Sequence, residues 1–138
     1  MADSTAHQEL LMLYQVTVND LSYFKRQQWS VANHCFLLFA ALAGASRLIG
    51  ESLSFADFAV LTFLIVCVAT VGIVVIKKLQ NSIDVRDARL KAVRDELSEE
   101  FNNAWLAKEK EESVIKVVWF LNVALVIGAA IVCRIIYV

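Results

Sequence analysis

Three long apolar runs, separated by polar and charged segments, dominate the pattern of this chain. They cover residues 30–49, 58–76 and 117–137, and the second run, FAVLTFLIVCVATVGIVVI, contains no charged residue. About 20 mostly apolar residues are enough for a helix to cross the hydrocarbon core of a bilayer. The alternating pattern of a membrane β-barrel is absent, so each run is predicted to be a transmembrane helix. A capping box, Ser54-x-x-Asp57, is predicted to begin the second helix.

The segment before the first run, residues 1–28, has the pattern of an amphipathic helix. Four apolar residues recur at intervals of four, seven and three and therefore fall on one helical face: Leu10, Tyr14, Leu21 and Phe24. No break separates this segment from the first run, so the two are predicted to form one long helix. The apolar face is expected to pack on other helices rather than on lipid, because its polar face carries few cations.

The segment between the second and third runs, residues 77–116, is 40 residues long and rich in acids and bases. A single straight helix of that length would extend ~60 Å and would not return the chain to the same membrane face. It is therefore predicted to be a helical hairpin, with its turn near Asn102-Asn103. Its repeating apolar positions are candidates for docking a partner through a short coiled coil: Ile83, Leu90, Val93 and Leu97. A solvated helix with internal ion pairs is the alternative.

Basic residues stand at one end of each apolar run: Lys25, Arg26, Lys77, Lys78 and Lys116. Lysine and arginine near the ends of spans mark the cytoplasmic side of a membrane. The N-terminus and residues 77–116 are therefore predicted to be cytoplasmic, and the C-terminus is predicted to lie outside.

The overall composition argues against a soluble domain. Of 138 residues, 59% are hydrophobic and none is proline, and a soluble domain of this size cannot cover so much apolar surface. The predicted fold class is an all-α integral membrane protein, a single domain of residues 1–138 in a lipid bilayer. The net charge of −1, without a basic patch, argues against a nucleic-acid partner.

Polar and small residues inside the apolar runs are the candidate functional positions, because polar groups at membrane depth are costly. Five residues of the first run share one helical face, named here the Asn33 stripe: Asn33, Leu37, Ala40, Gly44 and Arg47. This stripe is expected either to pack against the chain's own helices or to form a helix contact or polar path in an oligomer. The candidates in the third run are Asn122, Ala124 and Gly128.

The remaining reactive residue types do not form a catalytic or metal-binding pattern. The cysteines Cys35, Cys67 and Cys133 lie far apart inside apolar runs, without metal-ligand spacing. They are expected to be free thiols that pack as small hydrophobic side chains. His34 is rotated about 100° from Asn33 and is expected to be a residue of the membrane interface. No enzyme activity, metal or cofactor is predicted.

Two functions agree with this pattern. One is an oligomeric membrane effector or pore controlled through its cytoplasmic helices. The other is a non-conducting adaptor or accessory subunit whose cytoplasmic hairpin docks a soluble or membrane protein partner. An ion-coupled transporter is disfavoured, because the spans contain no carboxylate and the chain has no internal repeat.

The stretch ELLMLYQVTVNDLSYFKRQQWSVANHCFLLFAALAG, an amphipathic helix that runs into a span, resembles small bacterial membrane proteins. Together with the membrane hairpin and the cytoplasmic helices, the layout resembles the SLATT type of phage-defence effector. The resemblance covers most of the chain in layout rather than in a motif, and the third span is an addition to the two-span pattern. The resemblance implies a protein that perforates the membrane and identifies no site residue. A homo-oligomer in a bacterial inner membrane is predicted.

Overall fold

The computed structural model describes residues 2–49, 54–96 and 117–137. These residues form three α-helices: α1, Ala2–Ile49; α2, Phe55–Asp95; and α3, Val117–Tyr137. Each helix is long and apolar enough to cross a membrane. The prediction of an all-helical protein with three candidate transmembrane helices is therefore confirmed for the described residues.

Two of the helices extend well beyond the apolar runs. Helix α1 joins the amphipathic segment to the first run without a break, as the sequence predicts. Helix α2 begins three residues before the second run and continues past Lys77 and Lys78 to Asp95. Residues 77–95 contain no glycine or proline and are rich in good helix formers, so nothing in them ends the helix where the apolar run ends. The predicted hairpin turn lies outside the described residues.

The start of α2 is a reciprocal capping box, which confirms the prediction. The backbone N–H of Ser54 donates to Asp57 Oδ2 at 3.0 Å, and the N–H of Ala56 donates to Ser54 Oγ at 3.3 Å. The N–H groups of Asp57 and Phe58 donate to the Ser54 carbonyl at 3.0 and 3.2 Å. These bonds satisfy donors that have no partner within the first turn of a helix.

The chain divides into two compact units. The span unit comprises residues 27–78 and 115–138, and the structure describes 27–49, 54–78 and 117–137 of it. The charged unit comprises residues 1–26 and 79–114, and the structure describes 2–26 and 79–96 of it. The divisions along α1 and α2 fall directly after the basic pairs Lys25-Arg26 and Lys77-Lys78. These are the positions at which the sequence predicts a membrane boundary.

The span unit has one apolar core to which all three helices contribute. Its buried residues are Ala32, Cys35, Phe39, Leu61, Ile65, Ile76, Leu121, Leu125, Val132 and Ile136. The buried residues of α2 recur at helical spacing, which gives this uniformly apolar span one inward face.

The contacts between helices establish the topology of the span unit. Gly72 of α2 lies beside Cys35 of α1 and Leu125 of α3. Farther along, the Arg47 side chain of α1 reaches the Ile135 carbonyl of α3. Since residue numbers rise together along α1 and α3, these two helices are parallel. The rings of Phe58 and Tyr137, 5.4 Å apart, show that α2 runs in the opposite direction.

The charged unit is held by packing and by one polar cluster between α1 and α2. Leu21 is buried, and Leu10, Tyr14 and Phe24 are half-buried, so the predicted apolar face of α1 is the covered one. Arg86 Nε donates to Asp20 Oδ2 at 3.1 Å, and its guanidinium lies 4.2 Å from the centre of the Phe24 ring. The expectation that this face packs on another helix is therefore confirmed.

The Asp20–Arg86 pair should stabilise the charged unit measurably. Asp20→Asn is expected to destabilise it by about 1 kcal/mol, because the pair is partly exposed and charge-assisted bonds between helices exceed surface pairs in strength. Asp87→Asn is the control, since Asp87 pairs only with Lys91 one turn away, at 3.4 Å, on an exposed surface. It is expected to change stability by a few tenths of a kcal/mol.

Amide hydrogen exchange of the full-length chain in detergent measures this difference locally. Faster exchange around Leu21 in Asp20→Asn, but not in Asp87→Asn, is the expected result. Equal exchange in the two variants would contradict a stabilising role for the interhelical pair.

Candidate functional site

The Asn33 stripe lies on the outer surface of the span unit. Asn33, Leu37, Ala40 and Gly44 are all exposed. A methyl group placed on Gly44 would have no atom within 4 Å. Among the residues that the structure describes, no other helix covers these four positions.

The chemistry of the stripe suits contact with another helix. Ala40 and Gly44 leave a shallow surface, four residues apart, which lets a second backbone approach closely. The Asn33 amide has two donor hydrogens and an acceptor oxygen, and hydrocarbon offers it no hydrogen-bond partner. A neighbouring protein surface satisfies both features, and lipid chains satisfy neither.

Arg47, the last residue of the stripe, has a different role. Its Nη2 donates to the carbonyl oxygen of Ile135 at 3.4 Å. Ile135 lies in the last turn of α3, where carbonyl groups lack partners within their own helix, and a cation there interacts favourably with the helix dipole. Arg47 therefore connects α1 to the end of α3 within the chain.

The three candidates in α3 lie at or near internal contacts. A methyl group on Gly128 would lie 3.1 Å from Phe36 Cε1 and 3.4 Å from Phe39 Cδ2, so this glycine faces α1. Ala124 and Asn122 are half-buried. The Oδ1 atom of Asn122 is buried and has no hydrogen-bond partner among the described residues. Asn122 thus carries an unsatisfied acceptor inside a candidate span.

Gly72 is an important packing position that the sequence analysis missed. A methyl group on it would lie 2.7 Å from Cys35 Sγ and 3.2 Å from Leu125 Cδ1. Gly72 is the only glycine in the second run and lies seven residues after Ile65 and four before Ile76, both of which are fully buried. That spacing places Gly72 on the same helical face as Ile65 and Ile76 and could have identified it as a packing position. The second run is apolar on every side, however, so the sequence does not show that this face is the buried one.

A groove of about 330 Å³ separates α1 from α2 in the span unit. Gln27, Ser30 and His34 line it on α1, and Val71 and Val75 line it on α2. His34 Nδ1 is 2.6 Å from the Ser30 carbonyl oxygen. Nδ1 must donate in that bond, because a carbonyl oxygen only accepts. His34 is exposed, in agreement with the expected surface position.

The candidate docking residues of α2 are largely covered. Ile83 and Val93 are only 6% and 5% exposed, and Leu90 is half-buried. The position of Leu97 lies outside the described residues. Ile83 and Val93 therefore belong to the interior of the charged unit and offer no accessible surface to a second protein.

Within residues 2–49, 54–96 and 117–137, no three His, Cys, Asp or Glu side chains come close enough together to hold a metal ion. No protein-family model, curated protein or solved structure matches this chain.

Proposed function

We propose that this chain is the subunit of a small oligomeric membrane protein that perforates or perturbs a bilayer, with the Asn33 stripe as the contact between subunits. The observation that carries the proposal is the outward exposure of Asn33, Ala40 and Gly44. A span that remained alone in lipid would have no use for a polar and small-residue face on its outer side.

The other outward faces of the span unit support this view by contrast. Most exposed positions on α2 and α3 of this unit carry large apolar side chains, among them Val60, Phe63, Val66, Val74, Ile127 and Ile131. Thr70 is an exposed polar residue, and its hydroxyl donates to the Val66 carbonyl of its own helix at 2.8 Å. The large apolar side chains are suited to lipid. The Asn33 stripe differs from them in both polarity and size, although it lies on the same unit.

A polar path follows if several copies form a closed ring. In a ring built through the Asn33 stripe, α1 from every copy faces one axis, and neighbouring copies contact each other along the edges of that stripe. The Asn33 amides then face a shared interior, where water replaces the missing hydrogen-bond partners. Leu37, the one large apolar member of the stripe, supplies an apolar constriction next to them.

The proposal includes an orientation and a means of control. The basic pairs at Lys25-Arg26 and Lys77-Lys78 favour a cytoplasmic charged unit and an external C-terminus. Helices α1 and α2 each continue from one unit into the other. A change in the charged unit can therefore reach the span unit through either helix. The layout's resemblance to SLATT-type effectors favours a bacterial inner membrane and a role in phage defence.

The adaptor function is less favoured. It requires an accessible docking surface on residues 77–116, and the apolar positions proposed for that surface include the buried Ile83 and Val93. An adaptor also gives no reason for the polar outer face of α1.

Two neighbouring alanines provide a matched test. Ala40→Leu fills the stripe, whereas Ala41→Leu adds the same bulk at an exposed position rotated by about 100°. Induced in a bacterial host, the wild-type chain is expected to depolarise the membrane, measured with a voltage-sensitive dye. Ala40→Leu should slow depolarisation about tenfold or more, as expected when a subunit contact weakens by ~1.4 kcal/mol. Ala41→Leu should remain close to wild type.

Two results would contradict the proposal. The first is an unchanged membrane potential at high expression together with no dye release from liposomes that contain the purified chain. The second is an equal effect of the two leucine substitutions, since the stripe would then have no special role.

A further inference from the structure

A second exposed stripe lies on α1, in the charged unit. It consists of Met12, Val16, Asn19 and Tyr23, named here the Met12 stripe, and every member is exposed. The apolar members expose large fractions of their surface: 70% for Met12, 50% for Val16 and 58% for Tyr23. Thr17 and Leu21, on the opposite face, are buried. Helix α1 therefore has two apolar faces here, and in the part of the chain that the structure describes the face with Thr17 and Leu21 is the buried one.

The spacing of the Met12 stripe is that of a coiled coil. Its members follow one another at intervals of four, three and four, which are the a and d positions of a heptad. The same repeat runs on through Arg26 and Ser30 to the Asn33 stripe, where Asn33, Leu37, Ala40 and Gly44 occupy the next a and d positions. All eleven a and d positions from Met12 to Arg47 are exposed.

The composition along this repeat is the reverse of what the expected surroundings favour. In the charged unit, where water is the expected solvent, the repeat is mostly apolar. In the span unit, where lipid is the expected solvent, it is small and polar. A surface that is disfavoured by its solvent in both places is typical of contact with protein.

We propose that the Met12 stripe forms a parallel coiled coil with α1 of a second copy of this chain. This inference rests on the proposed function, because it extends the subunit contact of the Asn33 stripe along the same heptad repeat. Copies inserted into a membrane in the same direction present parallel α1 helices. A parallel pair in register places Asn19 opposite Asn19 and Asn33 opposite Asn33, and amide side chains can hydrogen-bond to one another.

The residues that flank the stripe are compatible with this pairing. Gln15 and Asp20 occupy g and e positions, so Gln15 of one copy meets Asp20 of the other without repulsion between like charges. Arg26 is the only charged position of the repeat between Met12 and Gly44. It lies at the predicted membrane boundary, where anionic lipid headgroups supply counter-charge.

Lipid is a poor alternative occupant of the stripe. Met12 precedes Ser30, the first residue of the first apolar run, by 18 positions on the unbroken helix α1. That separation is ~27 Å along the helix axis at ~1.5 Å per residue. No lysine or arginine lies between Met12 and Tyr23, whereas a helix that lies on a membrane surface is usually rich in them on its polar face.

Two valines on the same helix give a matched test. Val16→Asp places a charge in the stripe, whereas Val18→Asp places it about 160° away, at a position that is 37% exposed. Native mass spectrometry of the full-length chain in detergent measures the oligomer at several concentrations. Val16→Asp should raise the dissociation constant about tenfold or more, because a charge replaces a buried apolar contact at an a position. Val18→Asp should leave it within about threefold of wild type.

Cross-linking gives an independent measurement that does not depend on the stability of the charged variant. Asn19→Cys should form a disulfide-linked dimer in native membranes when copper-phenanthroline is added as the oxidant. Val18→Cys, one residue away and off the stripe, should cross-link at least about tenfold less, since a disulfide requires Cα atoms within ~7 Å.

The outcomes separate this inference from the proposed function. If Gly44→Leu disperses the oligomer while Val16→Asp does not and Asn19→Cys fails to cross-link, the coiled coil is refuted and the contact at the Asn33 stripe stands. A chain that is monomeric in bilayers refutes both. Loss of a different co-purifying protein in Val16→Asp, with the oligomer intact, also overturns the inference, because the occupant would then not be a second copy.

Discussion

Gly72→Ala is expected to destabilise the span unit by about 1–3 kcal/mol, the usual effect of adding a carbon to a filled core. The new methyl group would lie 2.7 Å from Cys35 Sγ and 3.2 Å from Leu125 Cδ1, so these side chains or the helices that carry them must shift. Alanine favours a helix over glycine by about 1 kcal/mol, so the net destabilisation is expected in the lower part of that range. Unfolding of the purified chain by SDS titration, followed by circular dichroism, measures the effect.

The same substitution at Gly44 is the control for Gly72→Ala. Because no atom lies within 4 Å of the added methyl group there, Gly44→Ala should leave the stability of the monomer unchanged or slightly raised. A second substitution tests the cause: Cys35→Ala removes the clashing sulfur and should recover part of the loss in the Gly72→Ala background, a coupling of about 0.5–3 kcal/mol. If the effects of Gly72→Ala and Cys35→Ala on stability are additive, the contact with the Cys35 sulfur does not explain the destabilisation.

Asn122→Leu is expected to stabilise the span unit by about 1–3 kcal/mol, because a buried acceptor without a partner carries a desolvation penalty of that size. Leucine has a similar volume and no polar atom to satisfy. Asn33→Leu is the matched control, because Asn33 is exposed and its replacement should leave the monomer's stability nearly unchanged. The same SDS titration compares the two variants.

The sign of the Asn122→Leu effect also reports on assembly. If Asn122→Leu is more stable than wild type at all protein concentrations, Asn122 Oδ1 has no hydrogen-bond partner in the assembled protein either. If the variant is instead less stable than wild type, and increasingly so at concentrations that favour the oligomer, then Asn122 finds its partner in a neighbouring subunit and the expectation for the isolated chain is wrong.

The sequence predicted helix positions well where hydrophobicity and charge change together. The third run, residues 117–137, is helical along its whole length in α3, and Lys116 marks the change from charged to apolar residues before it. The end of α2 was not predictable in this way. The change from apolar to charged residues after Ile76 marks a change of solvent, whereas the backbone continues as a helix to Asp95 because local propensity is unchanged.

The inward faces were harder to predict than the helices. In a helix of a soluble protein, the apolar face identifies the side that packs on the core. In a transmembrane helix both the lipid and the protein interior are apolar, so hydrophobicity does not distinguish the two sides. The spacing did place Asn33, Ala40 and Gly44 on one face, and only the structure puts that face outside. Gly72 was missed for the same reason, since every side of the second run is hydrophobic.

The contact between Arg47 and Ile135 has a consequence for the order in which the span unit is completed. The two residues are 88 positions apart in sequence, and Phe58 and Tyr137 close the same end. The 59 residues from Leu79, directly after Lys78, to Tyr137 take roughly 3–12 s at the ~5–20 residues that a ribosome adds per second, and α3 follows the α1–α2 pair by that time. For that interval Cys35, Phe39 and Gly72 face lipid or an insertion factor, and the nascent pair is a separate substrate for membrane quality control.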